Sequence, residues 1–235
     1  MRDRSIFISG EKIDLCAPNS DDLEEWAGWF NDENITRYLQ QGVYPNSAEL
    51  QGIFLREETS RGRFIVMIRD KGGKLLGTIS LSEIDHWRRS CQVSYVCPIK
   101  STSARYAALE ALARVAQHAF DALGMQVIWS GHVYPGLAKW VKKTEVLGFR
   151  TEGLLHDEFR FGNEASDSVR TYLNRDTYLD LLKYRNGVLW PGEVKVGRML
   201  TEYGKHESLC ERVLVSMEAI YSEHEKNLKK IELET

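Results

Sequence analysis

Apolar positions in this chain switch between alternation and helical spacing, and each switch marks a new element. Residues 12–17 alternate as a short strand. Asn19, Ser20, Asp21 and Asp22 form a helix-start cluster, after which Leu23, Trp26, Ala27 and Phe30 recur at helical spacing. Residues 31–34 interrupt that helix, and residues 38–44 read as a mobile connection. Asn46 or Ser47 can cap a second helix running through Phe54 and Glu58. Residues 63–69 and 74–83 then read as strands joined by Asp70-Lys71-Gly72-Gly73, a turn that favours a hairpin. In the next strand, residues 90–98, Cys91, Val93, Tyr95 and Cys97 share a face. Pro98 cannot donate a ladder hydrogen bond, so it ends the strand or marks an unpaired edge and opens a gap beside it.

The strongest helical pattern covers residues 104–123, with Ala108, Leu109, Leu112, Ala113, Ala116, Phe120 and Leu123 on one face and Gly124 as its stop. A strand over residues 127–133 follows, then a helix over 137–147 with Gly148 as C-cap. Residues 149–161 and 169–173 read as paired strands, with Gly162-Asn163 and Ser166-Asp167-Ser168 between them. Asn174 caps a short helix through Leu181 and Leu182. Residues 1–184 are thus expected to form an α/β (α+β) domain with a mixed sheet.

Composition changes after Tyr184. Residues 185–191 are turn-like and open an expected extension, 185–235. Within it, Ser208 and Glu211 form a capping box. Val213, Met217, Ile220, His224, Leu228 and Ile231 then line one helical stripe, suited to docking on the main domain or to a homodimer; a free charged tail is the other reading.

The formal charge of −3, from 31 basic and 34 acidic residues, offers no global attraction to nucleic acid or to an anionic membrane. No run approaches 18 apolar residues and the N-terminus lacks a signal-peptide core, so a cytoplasmic location is the expectation. Cys16, Cys91, Cys97 and Cys210 are too widely spaced for a metal site or a disulfide scaffold and read as structural thiols; no metal is expected. A Rossmann dehydrogenase would need a glycine fingerprint after an early strand, and none is present.

Candidate chemistry concentrates in residues 95–110, YVCPIKSTSARYAALE: a strand end, a polar loop and a strong helix. Free amides at the first turn of such a helix suit a pyrophosphate, and Lys100 and Arg105 flank the turn; an ordinary connection has the same free amides.

The order of segments resembles the GNAT superfamily of N-acetyltransferases. The pieces are DLEEWAGWFNDENITRYL from Asp22, GKLLGTISL from Gly73, SYVCPI from Ser94, ALEAL from Ala108 and VLGFRTEGLL from Val146, closed by Tyr172 and the Asp176-Thr177-Tyr178 helix. The resemblance spans residues 11–184 and is nearest the branch of ribosomal-protein alanine and amino-sugar acetyltransferases. It implies the GNAT fold, with splayed central strands flanked by helices and here followed by a C-terminal helical extension. It also implies acetyl-coenzyme A as acyl donor and a small-molecule primary amine as acceptor, a nucleotide-linked amino sugar included. A protein N-terminus is the alternative acceptor, and a non-catalytic binding protein the alternative class.

Carried over residue by residue, Tyr95, Cys97 and Ile99 line the pantetheine arm, and Ser101, Ala104 and Tyr106, with Arg105, occupy the phosphate loop. Two departures stand out. Tyr106 replaces a very small residue, so the loop binds with altered geometry or binding is weakened or lost. At the second helix Leu137, Trp140 and Thr144 replace the usual asparagine and serine or tyrosine, so the tyrosine acid is absent; Tyr134 substitutes only if its strand end points inward, and Trp140 packs on core or cofactor. Glu83, Asp85 and His86 are the candidate bases, Glu83 only if a bulge offsets the alternation of Ile79, Leu81 and Glu83. His132 and His156 read as structural. Trp29, Tyr38 and Tyr44 are candidate acceptor walls, and Asp157 and Glu158 candidate attractors of an ammonium group.

Overall fold

The computed structural model of the protein describes residues 5–39, 44–99, 101–161 and 163–234. Lys100, residues 40–43 of the expected mobile connection and Gly162 lie outside them. Among the described residues the strands form one eight-stranded sheet in the order β1-β2-β3-β4-β5-β6-β8-β7. These are β1 (Ile6–Ser9), β2 (Ile13–Cys16), β3 (Phe64–Asp70), β4 (Leu75–Asp85), β5 (Ser90–Val96), β6 (Val127–Tyr134), β7 (Arg150–Phe161) and β8 (Glu164–Asn174). Neighbours run antiparallel except β5 and β6, which are parallel. A parallel pair needs a crossover, and α4 (Ala107–Asp121) supplies it.

The β5–β6 pairing is short. It links Ser90, Cys91 and Gln92 to Val127, Ile128 and Trp129, and then the strands part. Beyond that point β5 stays with β4 as far as Val96, while β6 stays with β8 as far as Tyr134. The mixed sheet therefore splays at its centre, as the GNAT resemblance implied. Gly77 of β4 permits the close approach of the β5 end: a Cβ there would lie 2.3 Å from the Val96 carbonyl oxygen.

One face of the sheet carries α4, which is amphipathic and buries Leu109, Leu112, Val115, Ala116 and Phe120 in the main core. The other face carries α1 (Leu23–Trp29) and α3 (Ala48–Ser60), where Trp26, Trp29 and Phe54 pack against Ile65, Met67 and Leu75. A one-turn helix, α2 (Glu33–Thr36), stands between them. Local signals set the helix starts. Asn19 closes a capping box, Ser47 accepts from the Leu50 amide, and Asn174 accepts from Thr177 at the head of α6 (Arg175–Tyr184). Gly148, past α5 (Ala138–Glu145), has φ +91°, the left-handed conformation of a helix stop.

Three local readings are corrected. Strand β1 is present where no element was expected. The α4 helix begins at Ala107 rather than at residue 104, because residues 104–106 form a turn in which the Ala107 amide donates to the Ala104 carbonyl. Ser166, Asp167 and Ser168 are not a loop. They belong to β8, since β6 runs far enough to pair Val133 with Ser168 and Tyr134 with Asp167.

The segment after Tyr184 adds α7 (Glu193–Tyr203) and α8 (Leu209–Glu234). Leu189, Trp190 and Val196 are fully buried and belong to the main core with Leu109 and Phe120. The buried Arg185 guanidinium donates to the carbonyls of Leu189 and Val146, which fastens this segment beneath α5. The expected Ser208–Glu211 capping box is formed, and Glu145 accepts from the Leu209 and Cys210 amides at the head of α8. Farther along α8 the stripe is bare, with Ile220 64% exposed. No helix among the described residues is long and apolar enough to cross a membrane.

Candidate active site

Where β5 and β6 part, a cavity of about 1090 Å³ opens toward α1 and α3. Its walls include Trp26, Tyr38, Tyr44, Phe54, Tyr95 and Trp129, and its polar lining comes from Ser80, Ser94, Ser130, Ser168 and His132. Of the aromatic walls expected, Tyr38 and Tyr44 are here, whereas Trp29 is buried among Trp26, Ile65 and Met67.

The bulge that Glu83 requires exists. Ser82 pairs with Gln92 and Asp85 with Ser90, so Glu83 and Ile84 face the single residue Cys91. Glu83 takes φ +49° there and, though exposed, is among the residues lining the cavity. Glu158, next to a second bulge in β7 between Leu155 and Phe159, also lines it. Among the described residues neither carboxylate has an ion-pair partner. Glu58, by contrast, is paired with Arg61 and Arg63. Asp157 lies outside the cavity lining, and its amide donates to the Asp167 carboxylate.

The other sequence-selected groups do not gather with Glu83. Asp85 accepts from the Trp87 and Arg88 amides, both at 2.8 Å, and serves as the cap of its turn. His86 is exposed on the same turn and lines no cavity wall. Tyr134 turns away from the cleft and packs with Val141, Val169, Cys210 and Leu214 beneath α8. The strand end points outward, which removes the condition under which Tyr134 would replace the missing acid.

Two groups at the splay, His132 and Arg170, were not selected as chemistry by the sequence, and Tyr95, expected to line the pantetheine arm, lies in the same cavity wall. His132 lies in the cavity wall with a ring nitrogen 3.2 Å from the Thr171 hydroxyl, and burial pushes its pKa down to about 4. It is therefore neutral near pH 7. The Tyr95 hydroxyl accepts from Trp140 Nε1 with the rings 5.2 Å apart, and burial pushes the phenol well up. Trp140 is thus a packing partner of Tyr95. The Arg170 guanidinium lies 4.4 Å from the centre of the Trp129 ring at the cavity edge. Alternation alone would have paired Tyr95 with Cys97 as core, and nothing local distinguishes either.

On the α4 face the arrangement is closed. Cys97 and Ile99 pack against the main core, and burial pushes the Cys91 and Cys97 thiols up to about 12. Ser101 Oγ donates to Asp70 and shares a 2.9 Å hydrogen bond with Ser103. Ala104 is 2% exposed and Ala107 6%. The Arg105 guanidinium stacks 5.3 Å above the Tyr106 ring, and the Tyr106 hydroxyl rests against Gly197 of α7. The splayed strands thus suit an extended thioester arm. In the loop meant for its phosphates Ala104 is buried and Tyr106 is half-buried against α7, while Thr102, Ser103 and Arg105 are exposed. Among the described residues no group of three or more His, Cys, Asp or Glu side chains is placed to hold a metal ion.

The sequence model described as "Acetyltransferase (GNAT) domain" matches residues 12–135. The spermidine N(1)-acetyltransferase of Vibrio cholerae serotype O1 is 26% identical over 152 residues, covering 64% of this chain and 86% of that protein. The crystal structure of spermidine N-acetyltransferase from Vibrio cholerae in complex with CoA and spermine has a TM-score of 0.65 at 22% identity. That match covers 72% of this chain and 98% of the other. The similarity therefore runs to spermidine acetyltransferases, and the expected kinship with the ribosomal-protein and amino-sugar branch is corrected.

Proposed function

The chain belongs to the GNAT acetyltransferase family, and from that premise we propose that it acetylates a primary amine of a polyamine, with acetyl-coenzyme A as donor. The observation that carries this reading is the bulge that puts Glu83 on the wall of a cavity opening at the splay. Glu83 and Glu158 present two carboxylates to the cavity without an ion pair among the described residues, which favours a ligand with several positive charges. The likeness to a relative named for spermidine supports the same class of acceptor and replaces the nucleotide-linked amino sugar.

Acetyl-coenzyme A supplies an acyl carbon activated as a thioester. The protein's part is to hold the amine and manage its proton. Glu83 takes the proton that an ammonium group must lose before its nitrogen can attack, directly or through one water. Glu158 holds a second ammonium and fixes the orientation, so that much of the rate comes from positioning. Tyr95 stays protonated and acts as a donor, not as a base. His132, neutral and hydrogen-bonded to Thr171, shapes the wall.

The test is a thiol-release assay offering spermidine, a peptide with a free N-terminus and a nucleotide-linked amino sugar. The polyamine reading requires turnover with spermidine and little with the other two. Preference for the peptide would shift the acceptor to a protein N-terminus.

A further inference from the structure

One departure from the family pattern, Tyr106, lies where the extension meets the start of α4. The apolar side of α7 consists of Val196, Met199, Leu200 and Tyr203, spaced by three, one and three residues; Val196 is buried in the main core, and the other three pack against that core, as Tyr95, Cys97, Ile99, Tyr106 and Trp140 do. Gly197 faces the Tyr106 ring at the start of α4; a Cβ there would lie 3.4 Å from the Tyr106 hydroxyl. At its far end α7 reaches α5. The Tyr203 hydroxyl donates to Glu145, Lys142 Nζ sits 5.8 Å from the Tyr203 ring centre, and Lys142 also donates to the carbonyls of Gly204 and His206.

The near end is fastened as well, since Glu11 accepts from Trp190 Nε1 at 2.9 Å and from the Glu193 amide at 2.8 Å. The helix therefore bridges the start of α4 and the last turn of α5, with Tyr106, one of the residues assigned to the donor, against it. At the loop meant for pyrophosphate Ala104 and Ala107 are buried, whereas Thr102, Ser103 and Arg105 are exposed, so the contact of α7 is with the helix start and not with the whole loop.

We propose that α7 is an intramolecular strap over the donor groove, with Tyr106 as its seat, and that coenzyme A enters only by displacing it. This rests on the donor reading above. It also gives Tyr106 a purpose: the ring that replaces a glycine-sized residue holds the strap closed. Two features make displacement accessible. Gly197 weakens the helix from within, because glycine is a poor helix former. The latch at Tyr203, Lys142 and Glu145 is polar and only half-buried, the kind of region that opens locally before the core does. A groove that is open for only part of the time binds with an affinity reduced by that fraction.

Hydrogen exchange of the full chain, with and without coenzyme A, tests the strap directly. Exchange across residues 193–203 is expected to rise when coenzyme A binds. Calorimetry with Met199→Glu/Leu200→Glu, which loosens the apolar side of α7, is expected to give binding about 10- to 100-fold tighter than wild type. If that variant does not fold, Gly197→Ala supplies the opposite arm: it strengthens the helix and is expected to weaken binding severalfold. Binding by wild type with exchange at 193–203 unchanged or reduced overturns the strap and leaves the donor reading standing. No coenzyme A binding by wild type or by a folded loosened variant overturns the donor reading, and the strap with it.

Discussion

The two faces of the splayed sheet are treated differently by the same chain. Toward α1 and α3 the gap is open, walled by aromatic rings and serines, and lined by two glutamates without an ion pair among the described residues, with Arg63 and Arg170 in the same wall. Toward α4 and α5 the strand end packs half-buried against the apolar core, and α7 ties the start of α4 to the last turn of α5. On the proposed function the acceptor side is formed in advance, and on the proposed strap the donor side requires rearrangement before use. Asymmetry of this kind turns access to the donor into the step that conformational change can control.

The comparison fails most visibly if the open face is not the reactive one. Glu83→Gln keeps the shape of the bulge residue and removes the base, so turnover with spermidine should fall about 10²- to 10⁴-fold. Coenzyme A affinity should be unchanged, because Glu83 lies on the acceptor side. A variant with full turnover would move the base elsewhere. The closed face is probed next by Trp190→Ala. Trp190 is 3% exposed and bonded to Glu11, so its loss should cost about 3–5 kcal/mol in urea unfolding. An unchanged midpoint would show that the segment carrying α7 is only laid on the fold.

A smaller effect concerns the gap between the faces. The folded pKa of His132 is lowered to about 4 from an ordinary 6.5. Between those values the unfolded chain binds the proton and the folded one does not. The stability linked to His132 is therefore full above pH 6.5 and declines as pH falls toward 4, by about 3 kcal/mol in all. Unfolding measured at pH 7 and pH 4 in wild type and His132→Gln should differ by that amount. Equal pH dependence in both would place the histidine in contact with water.

Much of this architecture was legible because the signals are local. The Asp70–Gly73 turn, the caps at Asn19, Ser47 and Asn174, and the stop at Gly148 each depend on a few adjacent residues. Glu83 was legible as a condition: alternation pointed it one way, and only the pairing register shows the bulge that points it into the cavity. Tyr134 was not legible, since the direction of a side chain at a strand end depends on what packs there, and here that is α8. The role of α7 was hidden for the same reason. Its few apolar residues make a weak pattern, and their meaning comes from Tyr106 and Glu145, distant in sequence.

The turn between β1 and β2 has a bearing on inheritance. Glu110 of α4, almost fully buried, accepts from the amides of Glu11 and Lys12, and a Cβ at Gly10 would lie 2.5 Å from its Oε1. Glu11 in turn holds Trp190 and the first amide of α7. Positions 10, 11, 110 and 190 thus form one lineage of contacts from the central helix to the strap. Among descendants of this sequence they are expected to change together or not at all, and chains that lose α7 should be free to lose Trp190 and the Glu11 carboxylate while keeping Gly10 and Glu110.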